Sequence, residues 1–213
     1  MTTPFNQPQR QDLSSFATKS YVESQSTVLG VAFKADPNPS SYNVASQNQV
    51  ASGLVLTSIG VLSNLNPIIT LKSATSKVIV DVTVNGEWNR ETGNKGIILM
   101  RIQNGVPASS RTIFGTNINN SGNRGRTISA LLNNGTGSGD NSLDSYSFRY
   151  VDDFTFATSS PISVGDTLQY APVVANFDGQ TSVFNLNKTV LDSQNNLNRE
   201  RGYSSIILTE VVT

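Results

Sequence analysis

Cysteine and histidine are both missing from the 213 residues. Without cysteine there is no disulfide framework, no thiolate zinc site and no thiol nucleophile. Without histidine, Ser-His-Asp catalysis and imidazole-ligated metals are excluded as well. Charge is also scarce: Asp, Glu, Lys and Arg make up 14% of the chain, where about 25% is usual for soluble proteins. The 15 basic residues are balanced by 15 acidic ones, so no global positive field gathers phosphates and no nucleic-acid partner is expected. No apolar run approaches the roughly 18 residues that a membrane helix needs, so no membrane insertion is expected. Residues 1–11 are polar, with Pro4 and Pro8, and lack the apolar centre of a signal peptide; synthesis in the cytoplasm is the expectation.

What fills the chain instead is Asn, Ser, Thr and Gly between short β-forming segments. Val28–Phe33, Val50–Ser58, Pro67–Lys72, Lys95–Gln103, Arg111–Asn117, Arg126–Leu132, Tyr146–Thr158, Asp166–Phe177, Thr181–Val190 and Tyr203–Thr213 all read as strands. Lys77–Val84 is the clearest, since Val78, Val80, Val82 and Val84 share one face and Asn85-Gly86 reads as the closing turn. Asn104-Gly105 gives a second turn signal. Many short strands with no helical pattern between them point to an all-β sandwich or jelly roll and away from a βαβ fold. Before them, Asp12–Ser26 is a short helical candidate with Leu13, Phe16, Tyr21 and Val22 as its apolar positions. The turn-rich Asp36–Ser41 stretch places an arm over residues 1–35 and a β head over residues 42–213.

Little of this pattern is chemical. Asp152 and Asp153 are adjacent, so on a strand they face opposite ways and cannot act as a paired acid and base; a bulge is the simpler reading. Asp140, Asp144, Asp152 and Asp153 match no calcium-loop spacing, and no metal or cofactor is expected. Gly122–Arg126 lacks the lysine and following helix of a phosphate loop. Trp88, the single tryptophan, is either a core aromatic or, with Asn89 and Arg90, a platform for a sugar. The amide-rich loops 117–126 and 133–145 read as exposed connections, or as partner loops through Asn120 and Arg124. Tyr146, Phe148, Tyr150, Phe154 and Phe156 read as sandwich core or subunit seam. No enzyme is expected.

Two segments carry a resemblance. Ala17-Thr18-Lys19-Ser20-Tyr21-Val22-Glu23 is similar to a phrase that recurs in tailed-phage fibre and appendage proteins. Phe184-Asn185-Leu186-Asn187, followed by Arg201–Val211 (RGYSSIILTEV), resembles the ending of phage virion structural proteins, notably cyanophage fibres. The strand patterns of Ser76–Trp88 and Ile97–Gly105 fit the same group, so the likeness spans most of residues 50–213. It implies a jelly-roll head similar to the tumour-necrosis-factor and complement-C1q folds, assembled as a homotrimer on the virion. Residues 1–35 would join other virion proteins of the capsid or tail. The roles implied are a short fibre or receptor-binding knob that meets host-surface glycan, or a capsid cement protein. A stand-alone carbohydrate-binding jelly roll is the competing class.

The last strand is apolar on both faces. Alternation puts Ile206, Leu208, Glu210 and Val212 on one side, and Ser205, Ile207, Thr209 and Val211 on the other. The expected trimer interface is therefore Tyr203, Ile206 and Leu208 near the threefold axis.

Overall fold

A computed structural model describes residues 27–45, 60–89, 95–105, 112–114, 129–130, 143–155, 161–176, 181–190 and 201–212. Among them every regular element is a strand. In chain order these are β1 (Thr27–Asp36), β2 (Ser40–Val44), β3 (Gly60–Val61), β4 (Ile68–Thr70), β5 (Ser76–Trp88) and β6 (Lys95–Gln103). Then follow β7 (Thr112–Phe114), β8 (Ser129–Ala130), β9 (Asp144–Asp152), β10 (Thr167–Asn176), β11 (Ser182–Leu186) and β12 (Ser204–Val212). The helix expected over residues 12–26 and the strand expected over residues 50–58 lie outside the described residues.

The strands form two antiparallel sheets of six. In sheet I, β5 is the spine. One of its edges carries β9 along Val78–Gly86, and the other carries β12 along Ser76–Thr83 and then β11 along Gly86–Trp88. Outside these lie β1, paired with β12, and β2, paired with β11. In sheet II, β10 and β6 are paired over nine residues. β10 holds β3 and β4 on its other edge, and β6 holds β7 and β8. Several strands are thus two pieces of one rung. β1 with β2, β3 with β4, β7 with β8, and β11 with β12 each run along a single edge. The twelve strands reduce to eight rungs, four per sheet.

Alternation along β5 explains the core. Its odd positions stay half-exposed, while Ser76, Val78, Val80, Val82, Val84 and Trp88 are buried. The four valines and Trp88 meet Ile206 and Leu208 of β12, Phe184 and Leu186 of β11, and Ile97, Leu99, Leu168, Tyr170 and Val174 of sheet II in one cluster. Two sheets sharing one core is the arrangement of a β-sandwich. Each large aliphatic side chain removed from water there contributes about 1.5–3 kcal/mol before ordering costs. A second buried cluster, Ile98, Met100, Ala171, Val173 and Ala175, occupies the other face of β6 and β10. That is why Gly96–Met100 reads as a continuous apolar run rather than an alternating one.

Two sequence expectations change here. Asn85-Gly86 is not a turn: β5 runs on through it to Trp88. Gly86 is needed because β11 passes so close that a Cβ would strike the Phe184 ring and fall 2.6 Å from the Asn185 carbonyl oxygen. The strand from Tyr146 breaks at Asp152, two residues before Phe154 turns into the left-handed region at φ 63°, and residues 156–158 of its expected span lie outside the described residues. The strand expected over Val28–Phe33 is β1, which is bonded to β12 along its length. Asn104-Gly105 does turn, with both residues at positive φ (50° and 65°).

Candidate assembly surface

The outer face of sheet I carries the densest set of exposed large side chains among the described residues. Register builds it row by row. Val28, Val211 and Lys77 lie side by side, followed by Val31, Thr209, Ile79 and Val151. The next row is Phe33, Ile207, Asp81 and Arg149, and then come Ala35, Ser205, Thr83 and Ser147. The β1 and β12 half of this face is apolar, and Val151 of β9 extends it. Val28 (57%), Val31 (63%), Phe33 (55%), Val151 (48%) and Ile207 (38%) all stand open to solvent. Single exposed apolar residues are ordinary, but a contiguous group marks a contact surface.

The other half is polar and internally balanced. Arg149 Nε and Nη2 donate to Asp81 Oδ1 and Oδ2 at 2.6 and 3.2 Å. The Asp81 carboxylate holds the Arg149 guanidinium still more firmly protonated. Thr83 and Ser147 share a hydroxyl hydrogen bond of 3.1 Å. Between these pairs, with Ser205 and Ile207, lies a shallow trough of about 450 Å³. Its walls offer hydroxyls and a neutralised ion pair, so it can hydrogen-bond a partner without selecting for charge.

Inside the sandwich, buried polar groups tie the two sheets together. Asp152 is fully buried at the end of β9. Its Oδ2 accepts from Arg101 Nη1 of β6 and from the Tyr170 hydroxyl of β10 at 2.8 Å, and its Oδ1 accepts from the Phe154 N–H at 3.0 Å. The Arg101 guanidinium also lies 5.7 Å above the Phe154 ring centroid, which helps hold that residue in its left-handed turn. Burial, then the neighbouring Asp152, pushes the Tyr170 phenol well above its ordinary range, and the same causes push Tyr150 up to about 12. Asp153 points elsewhere and accepts from the Thr155 N–H and hydroxyl. Asp144 accepts from the Tyr146 hydroxyl at the far end of β9, about 26 Å from Asp152 at strand rise. Among the described residues no three acidic side chains gather as a metal site would need.

The structure separates the residues read as sites from sequence. Trp88 is 6% exposed and faces the core, with its ring 5.2 Å from that of Phe184 and Lys95 Nζ 5.2 Å above it. It cannot stack on a sugar from solvent. Asn89 is exposed, but its Oδ1 accepts from the Val183 N–H, which ties it to β11. Arg90, Asn120 and Arg124 lie outside the described residues. Of the expected trimer seam, Tyr203 is exposed at 52%, whereas Ile206 and Leu208 are fully buried in the chain's own core. Alternation then sends Ile207 outward in their place. Val31 and Phe33 were read as part of a strand but not as surface residues, since sequence does not show which face of β1 is left open. No protein-family profile and no curated protein sequence matches the chain at a significant level.

Proposed function

We propose that this chain is a structural protein of a tailed-phage particle, a jelly-roll head that assembles as a homotrimer and is joined to the capsid or tail through its N-terminal residues. The observation that carries the reading is the order of the rungs. Numbered along the chain, they run 1-8-3-6 in sheet I and 2-7-4-5 in sheet II. That order supports an eight-stranded jelly roll built from two Greek keys, the fold that the phage-like ending implies. The same ending, residues 201–211, supplies β12, which is central in sheet I between β1 and β5. A low-charge face of hydroxyls and aliphatics suits a particle component that must be durable rather than reactive.

Within this role the chain is a short fibre or receptor-binding knob. Its test is a comparison of particles made with and without the chain. Loss of host adsorption with unchanged resistance to heat supports the knob. Intact adsorption with particles that break at lower temperature assigns the chain to the shell as cement. Particles that never contain the chain overturn the reading.

A further inference from the structure

The apolar half of the outer face of sheet I has no covering among the described residues, and its composition identifies what should cover it. We propose that a second copy of this chain packs on the band formed by Val28, Val31, Phe33, Ile207 and Val151. The inference rests on the homo-oligomer proposed above and places its seam on β1 and the outward side of β12.

Three features select a copy of the same chain. The first is concentration. Nine large apolar side chains stand exposed among the described residues, and five of them are these. Scattered, they would need no partner; gathered on one sheet face they do. The second is charge. The remainder of the face pairs Arg149 with Asp81, and the Asp153 carboxyl, held below its ordinary range chiefly by hydrogen bonds from Thr155, also feels the charge of Lys77. Such a face attracts neither a polyanion nor a strongly charged protein. The chain itself has a formal net charge of zero, so a copy approaches without repulsion and brings the same alternating acid and base. Asp81 and Arg149 can then exchange partners across the seam, which favours register without requiring net charge.

The third feature is the edge. β1 is the outer strand of its half of sheet I, and an open edge invites strand-to-strand pairing. Here the register shifts between Val28 and Gly30. Lys34, on the inward-facing side of the strand, is exposed. A bulge and an inward lysine both oppose edge pairing. Contact through the face, not the edge, is what remains.

Sedimentation of the full chain, and of its Val31→Asp and Phe33→Asp variants, tests this. Both side chains are exposed, so the variants should fold, and circular dichroism with a thermal melt verifies it. Val164→Asp, exposed at 56% on a different part of the chain, is the control. The expected result is a discrete oligomer for the parent and the control. For the two variants, association should weaken about a hundredfold or more, because each would bury an unpaired carboxylate. If the parent is an oligomer and the folded variants keep its mass, this seam is wrong while the homo-oligomer stands. If the parent stays a monomer at high concentration, the homo-oligomer itself fails, and the seam with it.

Discussion

Ser204 donates a 2.6 Å hydrogen bond to Asn187 Oδ1, joining two residues 17 positions apart in the chain. Those residues are the broken ends of one rung, β11 and β12. Asn187 sits at φ 58°, where the chain leaves the sheet, and its amide Nδ2 donates to the Asp36 and Asn38 carbonyls at 2.6 and 3.2 Å. Ser204 Oγ also accepts from the Asn85 N–H at 2.9 Å. One fully buried amide therefore stitches together the kink between β1 and β2, the break in the last rung, and β5.

Replacing Asn187 with alanine strands several buried partners, at about 1–3 kcal/mol each, even after the neighbours relax. It also places a Cβ-bearing residue without a polar side chain in the left-handed region, which costs about 1 kcal/mol more. The expected loss is about 3–5 kcal/mol in urea denaturation, with an unchanged slope. A loss under about 1 kcal/mol would show that the node is not structural.

Gly86→Ala should be costly although it adds one methyl group. The new Cβ would press on the Phe184 ring and on backbone, and backbone cannot step aside as a flexible side-chain tip can. We expect a loss of about 2–3 kcal/mol, the upper range for overpacking. In hydrogen exchange, the Phe184–Leu186 amides should lose protection before those of β12. Equal protection in parent and variant would refute the close-approach reading.

Arg101 and Asp152 join the two sheets across the core. Arg101→Met leaves a buried carboxylate with its cationic partner gone, and about 3–5 kcal/mol should be lost. Adding Asp152→Leu should restore part of that loss, because the stranded charge is removed with its partner. A double-mutant cycle on chemical denaturation reads the coupling. Strict additivity would mean that the pair does not act as a unit.

Alkali should unfold the protein through its tyrosines. Tyr146 is raised by burial and by its bond to Asp144, Tyr170 by burial and Asp152, and Tyr150 to about 12 by burial and Asp152. A phenol whose folded pKa lies above the unfolded value of 10.0 favours the folded state fully below that pH. Its contribution fades as pH rises beyond 10.0, for Tyr150 across the interval up to about 12. Phenolate absorbance from these residues should therefore appear together with loss of the β-sheet signal. Gradual ionisation of all three with the sheet intact would contradict their burial.

The strands were legible wherever local pattern settles the matter. Val78, Val80, Val82 and Val84 alternate with polar neighbours, so the core face of β5 could be read directly. β12 defeated this rule, because Ile206 and Ile207 are equally apolar and alternation does not say which side faces inward. That is decided by Ser204 meeting Asn187, a contact between distant residues. Gly86 failed for a related reason. Asn-Gly is a strong turn signal by local propensity, yet here the need for close passage of β11 outweighs it. The band on β1 was visible as residues but not as a face, since its neighbours Thr209 and Ile207 come from the other end of the chain.

The pairing of β1 with β12 has a consequence for how the molecule is made. Thr27 lies opposite Val212, and Asp36 opposite Ser204, so the first described strand to leave the ribosome finds its partner only when the last one emerges. Until then β1 and β5 have no strand between them, and sheet I cannot close. Closure of sheet I therefore waits for β12, and pairing over so long a stretch of chain is slow. During that delay the apolar side chains of β1 are without their strand partner and open to premature association.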